Sequence, residues 1–266
     1  MDTTAIDTAD VQTAVTSFGQ QRLWLIDRLL PGKPLYNESR TERIRGPLDP
    51  ATLQRALDAI VERHDILRTR FAVIDGEPHQ VIAAGGSIVL ALEDVAGATA
   101  DEREANARRA AEVEAARLFD LERGPLLRMR LLRLAPDEHW LVTTMHHIVC
   151  DGWTSGVLRR ELSALYTAFA EGAPSPLPEL PVQYADYAVW QREWMQGDAL
   201  AREIAYWRGQ LAGVPVLELT LDRPRPAVLT HRSGRTPVVV DAELLRGLKE
   251  LARREGATLF MTLFSA

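Results

Sequence analysis

The spacing of apolar residues along the chain predicts several amphipathic helices. Leu53, Leu57 and Ile60 recur at intervals of three and four residues, which places them on one face of a helix. Asp49 is the predicted N-cap of this helix, and Pro50 occupies its first position. Similar patterns predict further helices over residues 20–30, 101–118, 156–172, 183–196, 198–212 and 241–255, and the first turns of another over 257–266.

Apolar runs bounded by turn residues predict strands between these helices. The sequence RFAVIDGEPHQVIA (70–83) is typical of a hairpin that turns at Asp-Gly. Further strands are predicted over residues 87–95, 126–134 and 139–145, and around residues 236–241. Because helices and strands mix throughout, the predicted class is α/β, or α+β with a mixed sheet.

Two segments lack such patterns and suggest how the chain is divided. Residues 1–16 show little periodicity, and we expect them to be a flexible lead-in. Residues 173–181 (APSPLPELP) contain four prolines, which is typical of a linker.

Composition and charge narrow the classes of function. A formal charge of −6 over 266 residues argues against a general nucleic-acid or membrane-surface binder, which would normally be basic. Apolar runs are too short to span a bilayer, and the first ten residues lack the layout of a signal peptide. A single cysteine excludes an internal disulfide. We therefore expect a cytoplasmic protein with neither nucleic-acid nor membrane partners.

The sequence MHHIVCDGWTSG (145–156) concentrates reactive side chains. The helical zinc motif needs two histidines one turn apart, whereas His146 and His147 are adjacent, and neighbouring side chains on a strand point to opposite faces. We therefore expect no metal. Cys150 lies close to both histidines and offers a covalent nucleophile, although a lone cysteine is more often a small buried apolar residue.

A general base without a covalent step is a third interpretation of this stretch. A histidine at the exit of a strand can take a proton from an amine or hydroxyl, since an unperturbed imidazole is largely neutral at neutral pH. Asp151 would then steady the loop by pairing with an arginine, and Gly152 would leave room for a substrate. A histidine pair that merely ends a strand is the commoner case, and spacing alone does not decide between the two.

The same stretch resembles the His-His-x-x-x-Asp-Gly signature of nonribosomal peptide synthetase condensation domains, which belong to the chloramphenicol-acetyltransferase-like superfamily. Three other stretches resemble motifs of that family and follow in the same order: SFGQQRLWLID (17–27), ERHDILRTRF (62–71) and YADYAVWQREW (184–194). The phrase LDRPRPA (221–227) is also similar to family sequences. The sequence DGWTSG differs from the D-x-V-S-W of epimerisation domains, and heterocyclisation domains would carry aspartates in place of the histidines.

The resemblance implies an α/β (α+β mixed-sheet) fold of two chloramphenicol-acetyltransferase-like lobes with the active site in a tunnel between them. It implies an N-terminal lobe over residues 17–175, after the lead-in of residues 1–16. The linker and the start of the C-terminal lobe would then occupy residues 176–266. Since the later motifs of the family do not occur, we expect a complete N-terminal lobe and a partial C-terminal lobe.

The resemblance also implies a reaction, in which the amine of an acceptor aminoacyl thioester attacks a donor acyl or peptidyl thioester to form a peptide bond. His147 matches the catalytic histidine of the family, and His146 matches its structural neighbour. Gly152 matches the glycine on the acceptor side of the tunnel. Cys150 stands where serine is common, which would leave a reactive thiol near the site.

The remaining implied role is a salt bridge that holds the histidine loop. Asp151 matches an aspartate that pairs with an arginine, and Arg63 and Arg68 are both candidates for that arginine. The resemblance does not choose between them.

The implied partners are proteins that carry the substrates. We expect no cofactor bound by the chain itself, because donor and acceptor peptidyl carrier proteins present the substrates on 4′-phosphopantetheine beside an adjacent adenylation domain. The alternatives are a coenzyme A- or carrier-dependent acyltransferase of the same superfamily, or a catalytically inactive carrier-docking domain. If the tunnel needs the rest of the second lobe, these 266 residues alone would be inactive.

Overall fold

The computed structural model describes residues 11–224, 226, 234 and 236–265. The chain divides into two compact units, Met1–Val216 and Leu217–Ala266. The strands of the first unit are β1 (Val11–Val15), β2 (Asn37–Arg45), β3 (Thr69–Ile74), β4 (Glu77–Ala83), β5 (Ala91–Asp94), β6 (Leu127–Ala135) and β7 (Glu138–His146). Its helices are α1 (Phe18–Leu29), α2 (Pro50–Arg63), α3 (Ala100–Ala116), α4 (Thr154–Ala170), α5 (Tyr184–Trp194) and α6 (Gly197–Gln210). The described part of the second unit contains α7 (Ala242–Arg254) and α8 (Leu259–Phe264).

Two sheets organise the first unit. The larger has the strand order β2-β7-β6-β5, in which β5 runs parallel to β6 and the other pairs are antiparallel. The smaller is antiparallel, with the order β1-β4-β3. The predicted hairpin joins β3 to β4 through Asp75 and Gly76, whose φ angles of 52° and 83° match the left-handed pair of a two-residue turn. The predicted mixed-sheet class is confirmed.

Helices cover both faces of the larger sheet. Because side chains alternate along a strand, Leu131 packs in the core with α2 and α4, while Leu132 packs with α3. The first core includes Leu57 of α2 and Leu165 of α4. These packed layers fix β7, whose carboxyl end carries the histidine pair.

The predicted helices are confirmed with small shifts at their ends. Asp49 caps α2 by accepting hydrogen bonds from the N–H groups of Ala51 and Thr52, and Asp241 caps α7 in the same manner. Helix α4 ends beside Gly172, whose φ of 74° is the left-handed conformation that glycine adopts readily.

Three expectations about strands need correction. The lead-in over residues 1–16 is wrong for Val11–Val15, because β4 offers its free edge and these residues pair along it as β1; residues 1–10 lie outside the described residues. Only Ala91–Asp94 of the predicted strand over 87–95 forms, where it meets β6. Residues 236–240 form no strand, since the described part of the second unit has no other strand for pairing.

Candidate functional site

The histidine pair lies where β7 leads into a tight turn before α4. We call residues 146–151 the histidine turn. The side chains of Ile148 and Val149 are buried in a small core with Leu23, Phe71 and Leu126, and the N–H of Val149 donates to the carbonyl of His146 at 3.0 Å. Apolar packing below the turn therefore fixes its backbone.

His146 is a buried, structural histidine. Its side chain is 4% exposed, and its Nδ1 accepts a hydrogen bond from the N–H of Ile148 at 3.1 Å. Burial, with a smaller contribution from the charge of His147, lowers the pKa of His146 to about 4. The ring is therefore neutral at neutral pH, and its Nδ1 holds the turn as an acceptor.

His147 is half-buried and is held in one tautomer. Its backbone N–H donates to the carbonyl of Tyr36 at 2.8 Å, and its Nδ1 lies 2.5 Å from the carbonyl oxygen of Cys150. A carbonyl oxygen can only accept, so Nδ1 carries the proton and donates it. In the neutral ring Nε2 then carries the free lone pair, which is the arrangement that a general base requires.

Asp151 shapes the start of α4 rather than pairing with an arginine. Its Oδ1 accepts hydrogen bonds from the N–H groups of Trp153 and Thr154, at 3.0 and 2.9 Å, and from the Thr154 hydroxyl at 2.8 Å. The bonds from Thr154 are the main reason that the pKa of Asp151 is lowered, and the charge of His147 adds a smaller effect. Within the described ranges Asp151 makes no ion pair, so the expected salt bridge is not found.

The two candidate arginines are engaged elsewhere. Arg63 lies 3.4 Å from Glu161 and donates to the carbonyl of Pro178. Arg68 donates to carbonyl groups at the carboxyl end of α2 and pairs with Asp65 at 2.5 Å. Arg63 therefore joins the second motif to the linker, and Arg68 closes the end of α2.

Gly152 and Cys150 differ in how much space surrounds them. A Cβ placed on Gly152 would meet no heavy atom within 4 Å, and the residue does not have a positive φ. Neither crowding nor backbone strain within the described residues requires glycine there, so its role in substrate clearance stays a prediction. Cys150 is 8% exposed, and burial raises the pKa of its thiol to about 12. The expectation of a reactive thiol is wrong, because the thiolate is the reactive form.

The other three motifs converge on α5. The hydroxyl groups of Ser17 and Tyr184 lie 3.0 Å apart, which joins the first motif to the fourth. The amide of Gln183 accepts from the N–H of Asp65 at 3.2 Å and donates to the carbonyl of Arg63 at 2.9 Å, which joins the second motif to α5. Motifs that are distant in sequence therefore form one connected structure beside the histidine turn.

Sequence reasoning missed Gln20 and Gln183. Gln20 is 1% exposed, and its Nε2 lies 3.5 Å from the carbonyl oxygen of Ile148 in the histidine turn. A detectable signal was its position three residues before Leu23, on the apolar face of the helix predicted over 20–30. Gln183 carried no such signal, because its bonds depend on the distant second motif.

Two general properties complete the description of the site. Among the described residues, no group of three histidine, cysteine, aspartate or glutamate side chains is arranged to hold a metal ion. None of the helices in the described ranges combines the length and apolarity needed to cross a bilayer.

Known proteins similar to this chain point to one family. The linear gramicidin synthase of Brevibacillus parabrevis includes a large polypeptide that is 48% identical over 94% of this chain. Phosphinothricin tripeptide synthetase PhsC from Streptomyces viridochromogenes is 44% identical, also over 94% of the chain. The chain spans only 5% and 23% of the lengths of these two relatives.

A solved structure and a family profile agree with these relatives. The X-domain in the complex of the X-domain and OxyB from teicoplanin biosynthesis is similar over 97% of this chain and 56% of that one, with 29% identity and a TM-score of 0.76. The expected chloramphenicol-acetyltransferase-like fold is confirmed by such neighbours. The sequence profile of the condensation domain matches residues 11–266. The chain therefore belongs to the condensation-domain family.

Proposed function

We propose that this chain supplies the catalytic histidine for peptide-bond formation between a donor acyl or peptidyl thioester and the amine of an acceptor aminoacyl thioester. One observation carries the proposal: Nδ1 of His147 donates to the carbonyl of Cys150, which leaves the lone pair of Nε2 available. The similarity to peptide synthetases supports the same reaction.

The proposed chemistry needs no covalent intermediate on the protein. The acceptor amine attacks the thioester carbonyl carbon, so that a C–N bond forms and the carbonyl oxygen becomes an oxyanion. Nε2 of His147 takes the proton that the amine nitrogen loses. The C–S bond then breaks, the carbonyl re-forms, and the leaving sulfur receives a proton from the imidazolium. The raised pKa of Cys150 is consistent with a reaction that does not use this thiol.

His147 can contribute in two ways, and both belong to the proposal. It can accept the proton of the amine, or it can orient the amine and stabilise the tetrahedral intermediate. Its fixed tautomer serves both, since Nε2 accepts a hydrogen bond from the amine before it accepts a proton.

We propose that the substrates arrive on donor and acceptor peptidyl carrier proteins, attached through 4′-phosphopantetheine, and that an adenylation domain lies in the same synthetase. The proposal is supported by relatives that are large synthetases of which this chain spans a small part. A coenzyme A-dependent acyltransferase would use a free acyl-coenzyme A as donor. Supplying acyl-coenzyme A instead of a loaded carrier protein separates these two possibilities.

A second candidate function is recruitment of another protein without chemistry. It is favoured by the similarity to the X-domain, whose structure was solved in a complex with OxyB. The histidine experiment also tests this candidate, because a recruiting domain would not need Nε2.

The decisive experiment replaces His147 in the synthetase module that contains this chain, with both carrier proteins loaded. His147→Ala is expected to abolish peptide-bond formation, measured by mass spectrometry of the carrier-bound product. His147→Gln keeps an acceptor that can orient an amine but cannot take up its proton, so its rate separates the two roles. His79→Ala, at an exposed hydrogen-bonding position in β4, is the matched control. Near-normal product from His147→Ala would overturn the proposed function.

A further inference from the structure

The backbone that follows His147 is held from both sides. The N–H of Ile148 donates to Nδ1 of His146 at 3.1 Å, and the carbonyl oxygen of Ile148 lies 3.5 Å from Nε2 of Gln20. Ile148 itself is 3% exposed. Two residues later, the carbonyl of Cys150 accepts from Nδ1 of His147. The position of this carbonyl, and therefore of the His147 ring, depends on how the peptide at Ile148 is fixed.

The amide orientation of Gln20 is determined by its surroundings. Its Oε1 accepts from the N–H of Ser17 at 3.0 Å, within the capping box that begins α1. Its Nε2 therefore faces two acceptors, Oε1 of Gln80 at 3.2 Å and the carbonyl oxygen of Ile148. Gln80 is also fully buried, and it donates to the carbonyl of Val15 at 2.7 Å. Rotating the Gln20 amide by 180° would oppose like groups at all three contacts.

This arrangement gives a buried path from α5 to the histidine turn. Tyr184 contacts Ser17, Ser17 and Gln20 form the capping box, and Gln20 reaches Ile148. Ser17 and Gln20 are each 1% exposed, so water does not compete for their bonds. The 3.5 Å contact is the longest step, so its role is to orient the Ile148 carbonyl rather than to add much stability.

We propose that Gln20 is a positioning residue for His147: through the carbonyl of Ile148 it orients the turn whose Cys150 carbonyl fixes the imidazole. The inference rests on the proposed function of His147. Gln20 touches neither the proposed reacting atoms nor the His147 ring, and it acts only through the backbone of the histidine turn.

The test uses a variant that keeps the cap and loses the donor. Gln20→Glu retains an oxygen for the N–H of Ser17, as glutamate does in ordinary capping boxes, but it places an acceptor opposite the Ile148 carbonyl. We expect kcat to fall by about tenfold with the KM for each loaded carrier protein little changed, because small misplacements of a catalytic group reduce the rate of the chemical step. Gln20→Met, which has similar length and no charge, is the second variant if Gln20→Glu does not fold.

The control removes the same kind of cap elsewhere. Glu102 is the N3 residue of the capping box at the start of α3, and Glu102→Met is expected to leave kcat unchanged. Nitrogen-15 NMR of the histidine rings gives a readout independent of turnover. The His147 signal, identified by its loss in His147→Ala, should shift in the Gln20 variant and remain in place in the Glu102 variant.

The outcomes separate this inference from the proposed function. If His147→Ala abolishes the reaction and a folded Gln20 variant keeps the kcat and the His147 ring signal of the Glu102 control, the positioning role is overturned. If His147→Ala remains active, the proposed function fails first, and the ring signal alone decides whether Gln20 orients His147. A fall in kcat with a shifted ring signal supports the inference.

Discussion

Two adjacent histidines acquire different properties because one is buried and the other is not. His146 faces the core at the end of β7, where it is neutral and accepts a hydrogen bond. His147 follows after the strand ends, and its ring is fixed by the Cys150 carbonyl. The predicted division into a supporting and a catalytic histidine agrees with this geometry, while catalysis itself stays a prediction.

The lowered pKa of His146 predicts how stability depends on pH. The folded-state pKa of about 4 lies below the ordinary value of 6.5, so the unfolded chain takes up the proton first. Stability from the neutral ring is complete above about pH 6.5 and is lost as the pH falls towards 4, with a total on the order of 3 kcal/mol.

The measurement compares the wild type with His146→Asn, which keeps an acceptor for Ile148 but does not titrate. Between pH 7 and pH 5 the free energy of unfolding in urea should fall by about 2 kcal/mol more in the wild type. His146→Leu should also lose the titration and be less stable at pH 7, because the N–H of Ile148 loses its acceptor. Equal pH dependence in the wild type and His146→Asn would contradict the assignment.

At the scale of elements, α1 and α5 are joined by side chains that also cap α1. Ser17 accepts from the N–H of Gln20 at 3.1 Å and contacts the Tyr184 hydroxyl, and Phe18 donates its N–H to Gln191 at 3.0 Å. Arg192 donates to the carbonyl of Thr16 at 2.8 Å. The helix that follows the linker is therefore bound to the start of the first helix.

This junction predicts a measurable coupling. Ser17→Ala should lower the free energy of unfolding by about 1 kcal/mol, as loss of an N-cap usually does. Tyr184→Phe should cost less, because Tyr184 is 36% exposed and its hydroxyl can bond to water. In a double-mutant cycle the two changes should cost less together than the sum of the separate effects. Additive effects would show that the contact between the two hydroxyls contributes nothing to stability.

Local pattern predicted the elements that depend on local interactions. Helix α2 followed from its apolar stripe and from Asp49 and Pro50, and the β3–β4 hairpin followed from Asp75 and Gly76. Strand β1 could not be predicted, because its five residues become a strand only by pairing with β4, which lies more than sixty residues away.

The candidate site shows the same limit. The resemblance identified His147, but the partners of Asp151 depend on where distant side chains lie. Arg63 and Arg68 stand close to the expected position in sequence, yet Glu161, Asp65 and backbone carbonyl groups engage them. No local pattern reports that competition.

At the scale of the molecule, burial is unequal between the two units. Of the buried apolar residues in the described ranges, all but Ala252 precede Val216. Helix α7 has an apolar stripe, yet Leu244 and Leu251 are exposed within this chain. Folding free energy from burial therefore comes almost entirely from the first unit.

A chain that ends at Val216 should consequently fold by itself. We expect cooperative thermal unfolding with coincident transitions by circular dichroism and tryptophan fluorescence. Residues 217–266 alone should show little helix, because isolated helices of this length are marginal in water. Non-coincident transitions in the shortened protein would show that the second unit is needed for the first to fold.

The bonds made by Gln183 and Tyr184 bear on where two synthetases can be recombined. The proline-rich segment 173–181 lies outside helices and strands and looks like a convenient crossover point. A chimaera joined there would take Gln183 and Tyr184 from one parent and Ser17 and the Arg63–Asp65 backbone from the other. Compatibility of the two parents would then depend on whether these few contacts are preserved, more than on the length or composition of the linker.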